Sequence, residues 1–481
     1  MAQRPLRVCI LHPDLGIGGA ERLIVDAALG LQKQGHTVHI YTSYHDPAHA
    51  FEETTNGTLT VRYKRSPFPR HVFNALHLLL AILRQVHLVI TLLLLLALGK
   101  EEPYDVYLVD QLSACVPLVR WSTSRRVVFY CHFPDKLLAD GQVAAVEGVS
   151  GAPKRKGGAK ELAKRLYRFP MNWVEETTTR QADVILANSK FTSRVFKRSF
   201  PSIKIDPVVV YPGINISAYR ALENPTGADI DMVKSDRPTF LSLNRFERKK
   251  NTLLAVDAFG SLPDIKSRGI RLVIAGGYDP RLSDNVECLS TLLLRCLALG
   301  LTFNVVSPRA LPPIPLPHSS TTDPDPNVLF VLNFSHTQRT YLLTSAHTLA
   351  LLYTPQNEHF GIGPVEGMAC GVPVIACDSG GPVESILDGE KRTGWLIPPD
   401  SKLWTQVLQK VLNLGKAERE NIAKISRSRV EEMFSLESLT TGIEGALKKA
   451  VEAGNVEDDG GSNVLLIFGG LLFGLWLSKY L

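Results

Sequence analysis

The sequence has little cysteine and none of the spacings that give cysteine a structural role. Its 481 residues contain seven cysteines, an odd number, and no CxxC pair is present. Cys9 and Cys131 lie in apolar runs that are typical of buried strands. A disulfide framework is therefore not expected. Reduced thiols in a protein that faces the cytosol are the simpler interpretation.

Two other classes of protein also lack support. The net charge is +6, but no basic groove interleaved with aromatic residues and no zinc-ligand spacing occurs, so no nucleic-acid partner is expected. The N-terminus runs directly into an apolar strand, and no cleavable signal peptide is recognisable. Apolar residues make up 45% and charged residues 21% of the chain, which is ordinary for a globular protein.

Strand and helix patterns alternate in both halves of the chain. The first half opens with a strand, a glycine loop, a helix and a second strand, at residues 6–11, 16–19, 20–32 and 37–41. The second half begins again with a strand, a helix and a strand, at residues 239–243, 253–262 and 271–275. A repeated βα pattern predicts parallel sheets covered by helices. We therefore predict an α/β protein of two Rossmann-like doubly wound domains facing a cleft, with ligands at the carboxyl ends of the strands.

The domain boundaries follow from the break in this pattern. We predict an N-terminal domain at residues 1–212, a C-terminal domain at residues 213–450 and a tail at residues 451–481. A length of 481 residues also favours two domains over one. Residues 308–326 contain seven prolines and are predicted to be an exposed insert in the C-terminal domain.

One long apolar stretch is compatible with a membrane. Residues 76–98 contain no acidic residue, and Arg84 is their only full charge. About 20 apolar residues can cross a bilayer, but a single crossing would separate the glycine loop from the strand at residues 126–130, which we expect in the same sheet. We therefore predict a helix that lies in the membrane interface, with Arg84, His77 and His87 toward the headgroups. A buried core helix is the alternative.

Other features also favour contact with a membrane. Residues 464–481 include a second apolar stretch, Val464 to Leu477, which is short for a span and predicts a marginal anchor. Two groups of basic residues would favour anionic lipid. The groups are Arg62, Lys64, Arg65 and Arg70, and then Lys154, Arg155, Lys156, Lys160, Lys164, Arg165 and Arg168. For the second group, a solvated loop and helix face is the alternative interpretation.

The stretch 358–366, EHFGIGPVE, carries the strongest sign of chemistry. Glu358 follows a predicted strand, Pro364 suits the first turn of a helix, and Gly371 suits its end. The backbone N–H groups at the start of such a helix form an anion site that glycine lets a diphosphate approach. These groups belong to Gly361, Ile362 and Gly363. Glu366 could accept hydrogen bonds from ribose hydroxyls, and Glu358 could reach a transferred sugar. An ordinary loop with a capping acid is the alternative.

A second charged motif, NRFERKKN at residues 244–251, follows the first strand of the C-terminal domain. Arg245 and Lys250 lie where the end of a sheet meets a crevice. The departure of a nucleoside diphosphate builds negative charge on phosphate, and fixed cations stabilise that charge. Alone, such a run would be interpreted as a solvated turn. Together with the Glu358 motif, it predicts a site for a nucleotide diphosphate.

The N-terminal domain contributes two weaker candidates. The loop at residues 16–22, GIGGAER, lacks the dinucleotide-binding spacing, but Gly18, Gly19 and Glu21 could lie near a phosphate or an acceptor sugar. A structural tight turn is the alternative. His132 ends the strand before Phe-Pro-Asp135 and is predicted to point into the same cleft, although a lone histidine is usually a core residue. Asp323 and Asp325 resemble an acid pair but lie in the proline-rich insert, so no metal site is predicted.

These motifs together resemble the retaining glycosyltransferases of family four, which have the GT-B fold. The resemblance covers nearly all of residues 4–450. Within that family, the stretches 129–135, 244–251 and 358–366 are similar to mannosyltransferases that build the dolichol-linked oligosaccharide of N-glycosylation. This chain departs from the wider family at Asn251, where glycine is commoner.

The resemblance implies a specific activity. It implies transfer of mannose from GDP-mannose to mannosyl-chitobiosyl-diphosphodolichol, with α-1,3 and α-1,6 linkages and retention of configuration. It implies that Arg245 and Lys250 grip the diphosphate, and that Glu358 and His132 lie beside the mannose. Glu366 would bind the ribose, and no metal or other cofactor would be required. The implied partners are the endoplasmic reticulum membrane, with catalytic domains facing the cytosol, and other glycosyltransferases of the pathway.

Two alternative functions stay open from the sequence. One is a different enzyme on the same fold, such as an N-acetylglucosaminyltransferase acting on a lipid or a sugar-nucleotide epimerase. The membrane segments argue against the epimerase. The other is a non-catalytic partner subunit, which the intact set of charged residues argues against.

Overall fold

The computed structural model describes residues 4–70, 76–138, 159–220, 226–265, 267–308, 311 and 325–456, and for residues 159–165 it describes the backbone alone. The chain forms two compact units. The first contains the described residues up to Gly213 and those from Leu436 onward, and the second is Ile214–Ser435. The apolar stretch at residues 464–477, the basic residues 154–156 and most of the proline-rich insert lie outside the described residues.

The first unit is built on a seven-stranded parallel sheet. Its strands are β1 (Arg7–His12), β2 (Thr37–Thr42), β3 (Thr60–Tyr63), β4 (Val106–Asp110), β5 (Val127–Cys131), β6 (Val184–Ala187) and β7 (Val208–Val209). Its helices in this part of the chain are α1 (Gly19–Lys33), α2 (His77–Ala97), α3 (Val116–Thr123), α4 (Asp135–Leu138), α5 (Ala159–Thr179) and α6 (Lys190–Ser199). The strand order is β3-β2-β1-β4-β5-β6-β7. The chain order therefore reverses between β1 and β4, which is the switch point of a doubly wound sheet.

The second unit repeats this plan with another seven-stranded parallel sheet. Its strands are β8 (Thr239–Leu243), β9 (Arg271–Gly276), β10 (Phe303–Val306), β11 (Val328–Leu332), β12 (Thr348–Tyr353), β13 (Val374–Cys377) and β14 (Gly394–Ile397). Its helices are α7 (Ala228–Asp231), α8 (Leu253–Gly260), α9 (Ser283–Ala298), α10 (His336–Thr344), α11 (Ile362–Ala369), α12 (Pro382–Ser385), α13 (Ser401–Leu412) and α14 (Lys416–Met433). The order β10-β11-β9-β8-β12-β13-β14 places the switch point between β8 and β12. The prediction of two doubly wound domains is confirmed.

Buried apolar strands explain why both sheets form. All five residues of β4, β5 and β11 are buried, as expected for parallel strands covered by helices on both faces. Local signals start several helices. The Ser335 hydroxyl accepts a hydrogen bond from the Gln338 N–H, and the Gln338 side-chain oxygen accepts one from the Ser335 N–H, so a capping box begins α10.

All seven cysteines are free and six of them are buried.

The last helix, α15 (Leu436–Glu452), corrects the predicted C-terminal domain of residues 213–450. Leu439, Ile443 and Leu447 are buried in the core of the first unit. A side chain at Gly30 of α1 would come within 1.9 Å of the Thr440 hydroxyl, so α1 and α15 pack closely. The apolar spacing of this helix was recognisable in the sequence. Its spacing could not show which of two cores the helix would join.

Helix α2 is the one helix in the described part of the chain that is long and apolar enough to cross a membrane. Leu88, Val89 and Leu92 pack in the core of the first unit. On the other side, Ile90, Leu94 and Leu98 are 42%, 57% and 66% exposed. The helix is therefore half core and half exposed apolar surface.

The predicted orientation of Arg84 toward lipid headgroups is wrong. Arg84 is buried, and its guanidinium donates to both carboxylate oxygens of Asp14, at 2.8 and 3.3 Å. Arg70 donates to the same carboxylate at 2.8 Å. Arg168, counted among the membrane-facing basic residues, is also buried and donates to the carbonyl of Asp135 at 2.9 Å. An arginine inside an apolar helix can instead pair with an acid of its own unit, which sequence alone does not reveal.

Candidate active site

The charged motifs of the second unit meet at its switch point. Strands β8 and β12 lie side by side, and the loops that follow them carry Lys250 and Glu358. Lys250 Nζ lies 2.6 Å from Glu358 Oε1, and the two side chains are 12% and 25% exposed. Two residues that are 108 positions apart in sequence therefore form an ion pair that water and a ligand can reach. The sequence-predicted association of these two motifs is seen directly.

The backbone of Lys250 is held by its own turn and by a hydrogen bond from the residue after β12. Residues Arg248–Lys250 form a 3₁₀ turn, and Asn251 closes it with φ of 51°. The Thr354 hydroxyl at the end of β12 donates to the Lys250 carbonyl at 2.7 Å. Glycine and asparagine tolerate the left-handed region best. The backbone therefore explains why asparagine can stand where glycine is commoner in the family.

Arg245 has a different environment from the one predicted for it. Its side chain is 65% exposed and pairs with Glu247 at 3.1 Å. Lys249 pairs with the same carboxylate at 3.1 Å. Arg245 therefore lies on the same loop as Lys250, but it pairs with Glu247, whereas Lys250 pairs with Glu358.

The glycines of the 358–366 stretch lie over a buried tyrosine. A Cβ atom at Gly361 would lie 3.1 Å from the Tyr353 hydroxyl, and one at Gly363 would lie 3.2 Å from the same ring. Gly361 also has φ of 87° and precedes α11, which begins at Ile362. The first N–H groups of a helix have no intrahelical acceptor, so this turn can bind an anion. Burial, and then Glu358, raise the pKa of Tyr353 well above its usual range.

Two further glycines support Glu358 and were missed in the sequence. Gly380 has φ of 71°, and a Cβ atom there would lie 2.5 Å from the Glu358 carbonyl oxygen. The Gly381 N–H donates to that carbonyl at 2.8 Å, and a Cβ at Gly381 would collide with the Phe360 backbone at 2.3 Å. The loop after β13 therefore requires glycine to approach the loop after β12. The Ser-Gly-Gly-Pro run directly after a strand was the available signal.

Glu366 is more enclosed than predicted. It is buried in α11, and its Oε1 accepts from the Tyr219 hydroxyl at 2.6 Å and from Arg339 at 2.9 Å. Burial raises the pKa of Glu366, although Arg339 and Tyr219 act in the opposite direction. Neither partner was predicted, since Tyr219 lies 147 residues away. Both hydrogen bonds use Oε1, so the carboxylate is fixed through one oxygen.

The first unit has a polar cluster at its own switch point. His12 ends β1, Asp110 ends β4, and His132 follows β5. Asp110 Oδ2 lies 2.8 Å from His12 Nδ1, and Asp110 Oδ1 lies 2.8 Å from His132 Nε2. Sequence reasoning found His132 and missed the other two members of the cluster, Asp110 and His12. Polar residues at the ends of two buried strands, in Leu-His-Pro and Val-Asp-Gln, were the signal.

The glycine loop of the first unit lies close to this cluster. Gly18 caps α1, and a Cβ atom there would lie 2.2 Å from Glu21 Oε2, while one at Gly19 would meet no atom within 4 Å. Burial opposes a positive charge on His132. The carboxylates of Asp110, Glu21 and Asp135 outweigh that effect, so the pKa of His132 is raised. Gly18 and Glu21 therefore belong to the same edge of the first sheet as His132.

The described residues contain no candidate metal site. Among those residues, no set of three histidine, cysteine or acidic side chains could hold a metal ion. Asp325, the described member of the acid pair in the insert, forms an ion pair with Arg237.

Family models match both units. Residues 17–218 match the model described as Glycosyltransferase Family 4, and residues 319–429 match Glycosyl transferases group 1. Among solved structures, sucrose-phosphate synthase from Thermosynechococcus elongatus superposes with a TM-score of 0.64 at 18% identity, covering 93% of this chain and 100% of that one. A glycosyltransferase from Rickettsia africae gives 0.61 at 17% identity, with 94% and 100% covered. The chain is a glycosyltransferase with the two-domain GT-B fold.

Sequence relatives narrow this class. Alpha-1,3/1,6-mannosyltransferase ALG2 of Rhizomucor pusillus is 41% identical to this chain, with 98% of both chains covered. The protein of the same name from Kluyveromyces lactis is 40% identical, over 93% of this chain and 86% of its own length. The one from Dictyostelium discoideum is 38% identical, with 93% and 99% covered. The chain belongs to the family of alpha-1,3/1,6-mannosyltransferases.

Proposed function

We propose that this enzyme transfers mannose from GDP-mannose to mannosyl-chitobiosyl-diphosphodolichol and forms α-1,3 and α-1,6 linkages with retention of configuration. The observation that carries the proposal is the Lys250–Glu358 pair, 2.6 Å apart at the switch point of the second sheet. Ligands of doubly wound sheets bind at this point. The family membership supplies the sugar and the linkages.

The donor site is proposed to be the carboxyl edge of the second sheet. Lys250 and Arg245 bind the diphosphate, together with the N-terminus of α11 at Gly361, Ile362 and Gly363. Glu366 binds the ribose through the oxygen that Tyr219 and Arg339 leave free. Glu358 binds hydroxyl groups of the mannose, because Lys250 can exchange its carboxylate partner for phosphate when the donor binds. Each proposed role matches the charge and the hydrogen-bonding capacity of the side chain at its position in the structure.

The transfer step follows from these charges. The bond between mannose C1 and the phosphate oxygen breaks, and the acceptor hydroxyl oxygen forms a bond to C1 on the same face. The acceptor proton passes to an oxygen of the departing diphosphate. Negative charge grows on the GDP product, and Lys250, Arg245 and the start of α11 stabilise it more than they stabilise the intact donor. These groups can supply positive charge without a metal ion, so a metal-independent transfer is part of the proposal.

The proposal also includes a place for the acceptor. We assign the loop of Gly18, Gly19 and Glu21 to a phosphate or sugar of the acceptor, whereas His132 is assigned to the transferred mannose. The exposed apolar side of α2 is proposed to contact the endoplasmic reticulum membrane, where a dolichol-linked acceptor resides, with the catalytic units in the cytosol. Ile90, Leu94 and Leu98 on that side are apolar enough to favour a lipid interface over water. Other glycosyltransferases of the pathway are the proposed protein partners.

Mass spectrometry of the reaction product tests this function. Purified chain is incubated with GDP-mannose and a synthetic mannosyl-chitobiosyl diphosphate lipid, with EDTA present. We expect products heavier by one and then two hexoses. Parallel reactions with UDP-N-acetylglucosamine and UDP-glucose should give no product. Transfer from a UDP-sugar in place of GDP-mannose, or a strict requirement for added metal, would contradict the proposal.

A further inference from the structure

The carboxylate of Asp110 is shared between two histidines at the switch point of the first sheet. Strands β1, β4 and β5 are neighbours, and they carry His12, Asp110 and His132 at or just after their carboxyl ends. Each oxygen of Asp110 lies 2.8 Å from one imidazole nitrogen. The side chains of His12 and Asp110 are 0% exposed, whereas that of His132 is 22% exposed. Of the three side chains, His132 is the one that a substrate can reach.

These contacts fix the protons on both rings. An ionised carboxylate can only accept hydrogen bonds, so each histidine carries a proton on the nitrogen that faces Asp110. For His132 this nitrogen is Nε2, which leaves Nδ1 as the ring nitrogen for a ligand. A neutral ring would offer Nδ1 as an acceptor, and a protonated ring would offer it as a second donor.

The surrounding charges favour the protonated ring. Asp110 on β4, Glu21 on α1 and Asp135 at the start of α4 all favour a positive charge on His132, and they outweigh its burial. The Tyr130 ring lies 4.9 Å away between centroids, and His12 lies on the far side of Asp110. Asp135 itself has Glu175 and Arg168 as charged neighbours. Burial alone would raise the pKa of Asp110, but His132 and His12 lower it to about 2. Asp110 is therefore ionised throughout the physiological range.

Stability does not explain this arrangement. In the described part of the chain, His12 Nε2 is buried without a hydrogen-bond partner. A buried polar atom in this state is destabilising, and a buried charged network is weak evidence for stabilisation. Groups whose pKa values are shifted by specific charged partners are concentrated at functional sites.

We propose that Asp110 is a positioning residue, which holds His132 so that Nδ1–H points as a cationic donor to an oxygen of the bound sugar. His12 occupies the second oxygen of Asp110 and prevents the carboxylate from rotating. This inference rests on the proposed function, because it assigns the sugar of that reaction as the ligand. His132 touches the substrate, and Asp110 acts through His132.

The variant Asp110→Asn tests this role. An asparagine keeps the shape of the side chain, but its NH₂ group donates and cannot accept from a second imidazole. We expect kcat to fall on the order of a hundredfold, with KM for GDP-mannose little changed. We also expect the pH profile of kcat to move. Wild-type activity should decline as pH rises through the raised pKa of His132, and the variant should decline at lower pH because the carboxylate charge is gone.

A control separates this role from a general loss of structure. Asp183 is another carboxylate of the first unit, paired with Arg126 at 2.7 Å and Arg120 at 3.3 Å before the start of β6. Asp183→Asn removes similar contacts at the opposite ends of the strands. We expect it to lower Tm and to leave the pH profile of kcat unchanged.

Histidine ¹⁵N NMR of the full chain supplies a readout that does not depend on turnover. The His132 signal is assigned by its loss in His132→Gln. In the wild type, we expect a proton on Nε2 and titration above the ordinary pKa of 6.5. Titration of His132 at or below that value, or an unshifted kcat profile in Asp110→Asn, would overturn the inference. Absence of turnover by the wild type would instead contradict the proposed function, while the titration would still decide the role of Asp110.

Discussion

Both units are seven-stranded parallel, doubly wound sheets, but the charged groups at their switch points differ in exposure to solvent. In the first unit, Asp110 and His12 are sealed from solvent, and their hydrogen bonds are made within the protein. In the second unit, Lys250 and Glu358 pair where a ligand can reach them. Topology therefore determines where polar side chains collect, but it does not determine what they do. We expect charges whose partners all lie inside the protein to affect folding when they are removed, and charges that act on a ligand, directly or through His132, to affect catalysis.

The largest expected effect breaks the accessible pair. Lys250→Ala and Glu358→Ala should each lower kcat for transfer from GDP-mannose by roughly 10²–10³-fold, because each removes a charged group that acts on the reacting centre. Tm should stay close to that of the wild type, since both side chains are already reached by water. Initial rates of mannose transfer and thermal unfolding measure the two quantities.

Lys249→Ala is the matched control for this experiment. Lys249 is the preceding lysine of the same turn, is 69% exposed and pairs with Glu247. We expect its removal to leave kcat near the wild-type value. Wild-type turnover in Lys250→Ala, or equal losses in both lysine variants, would contradict the assigned role of the pair.

The next expected effect breaks an ion pair of the first unit in which the cation, Arg84, is buried. Asp14 lies two residues after His12 and pairs with Arg84, and the side chains of Asp14 and Arg84 are 22% and 8% exposed. Asp14→Ala should lower the free energy of unfolding by about 3 kcal/mol, because it leaves a cation inside an apolar helix without its main partner. Guanidinium unfolding of the full chain measures this change.

A compensating variant sharpens the comparison. In Asp14→Ala/Arg84→Met, both charges are gone and an apolar side chain of similar length fills the space. We expect recovery of most of the lost stability, since replacing a buried pair by apolar groups is often neutral. A double variant as unstable as the single one would show that the charge of Arg84 is not the cause.

The fold could be predicted from the sequence, but the tertiary contacts that surround Glu366 and Arg84 could not. Apolar strands followed by glycine loops and helices, such as residues 6–32, determine a doubly wound sheet locally. Lys250 and Glu358 could be associated because each follows a strand. Tyr219, which bonds Glu366, and Asp14, which holds Arg84, are joined by tertiary packing across 147 and 70 residues. No local pattern encodes those contacts, and the same limit applies to α15 in the core of the first unit.

Glu366 is an intermediate case, because its carboxylate is buried but lies in the second unit, which also contains the accessible Lys250–Glu358 pair. Glu366→Gln should raise KM for GDP-mannose about tenfold, because a charged acceptor for ribose hydroxyls is replaced by a neutral one. Tyr219→Phe keeps the carboxylate and should have a smaller effect. Unchanged KM in both variants would remove Glu366 from donor binding.

The stability of Glu366→Gln should depend on pH in a defined direction. Burial raises the pKa of Glu366 in the folded state, so its contribution to stability is present below the usual carboxyl pKa and is lost as pH rises through the raised value. The Tm of the variant relative to the wild type should therefore increase from about pH 4 to pH 8. A difference that falls over this range would show that the ionised form is favoured instead.

The smallest expected effect concerns the backbone that holds the accessible pair. Asn251 has φ of 51°, so Asn251→Gly relieves a small strain while it adds freedom to the unfolded chain, and the two changes oppose each other. We expect the free energy of unfolding to change by less than about 0.5 kcal/mol, with kcat/KM unaltered. Asn251→Val is the contrasting variant, because a β-branched residue in the left-handed region costs roughly 1–2 kcal/mol. If the 3₁₀ turn sets the position of Lys250, Asn251→Val should lower kcat by more than its loss of stability accounts for. Equal kcat in the glycine and valine variants would show that the position of Lys250 does not depend on this backbone.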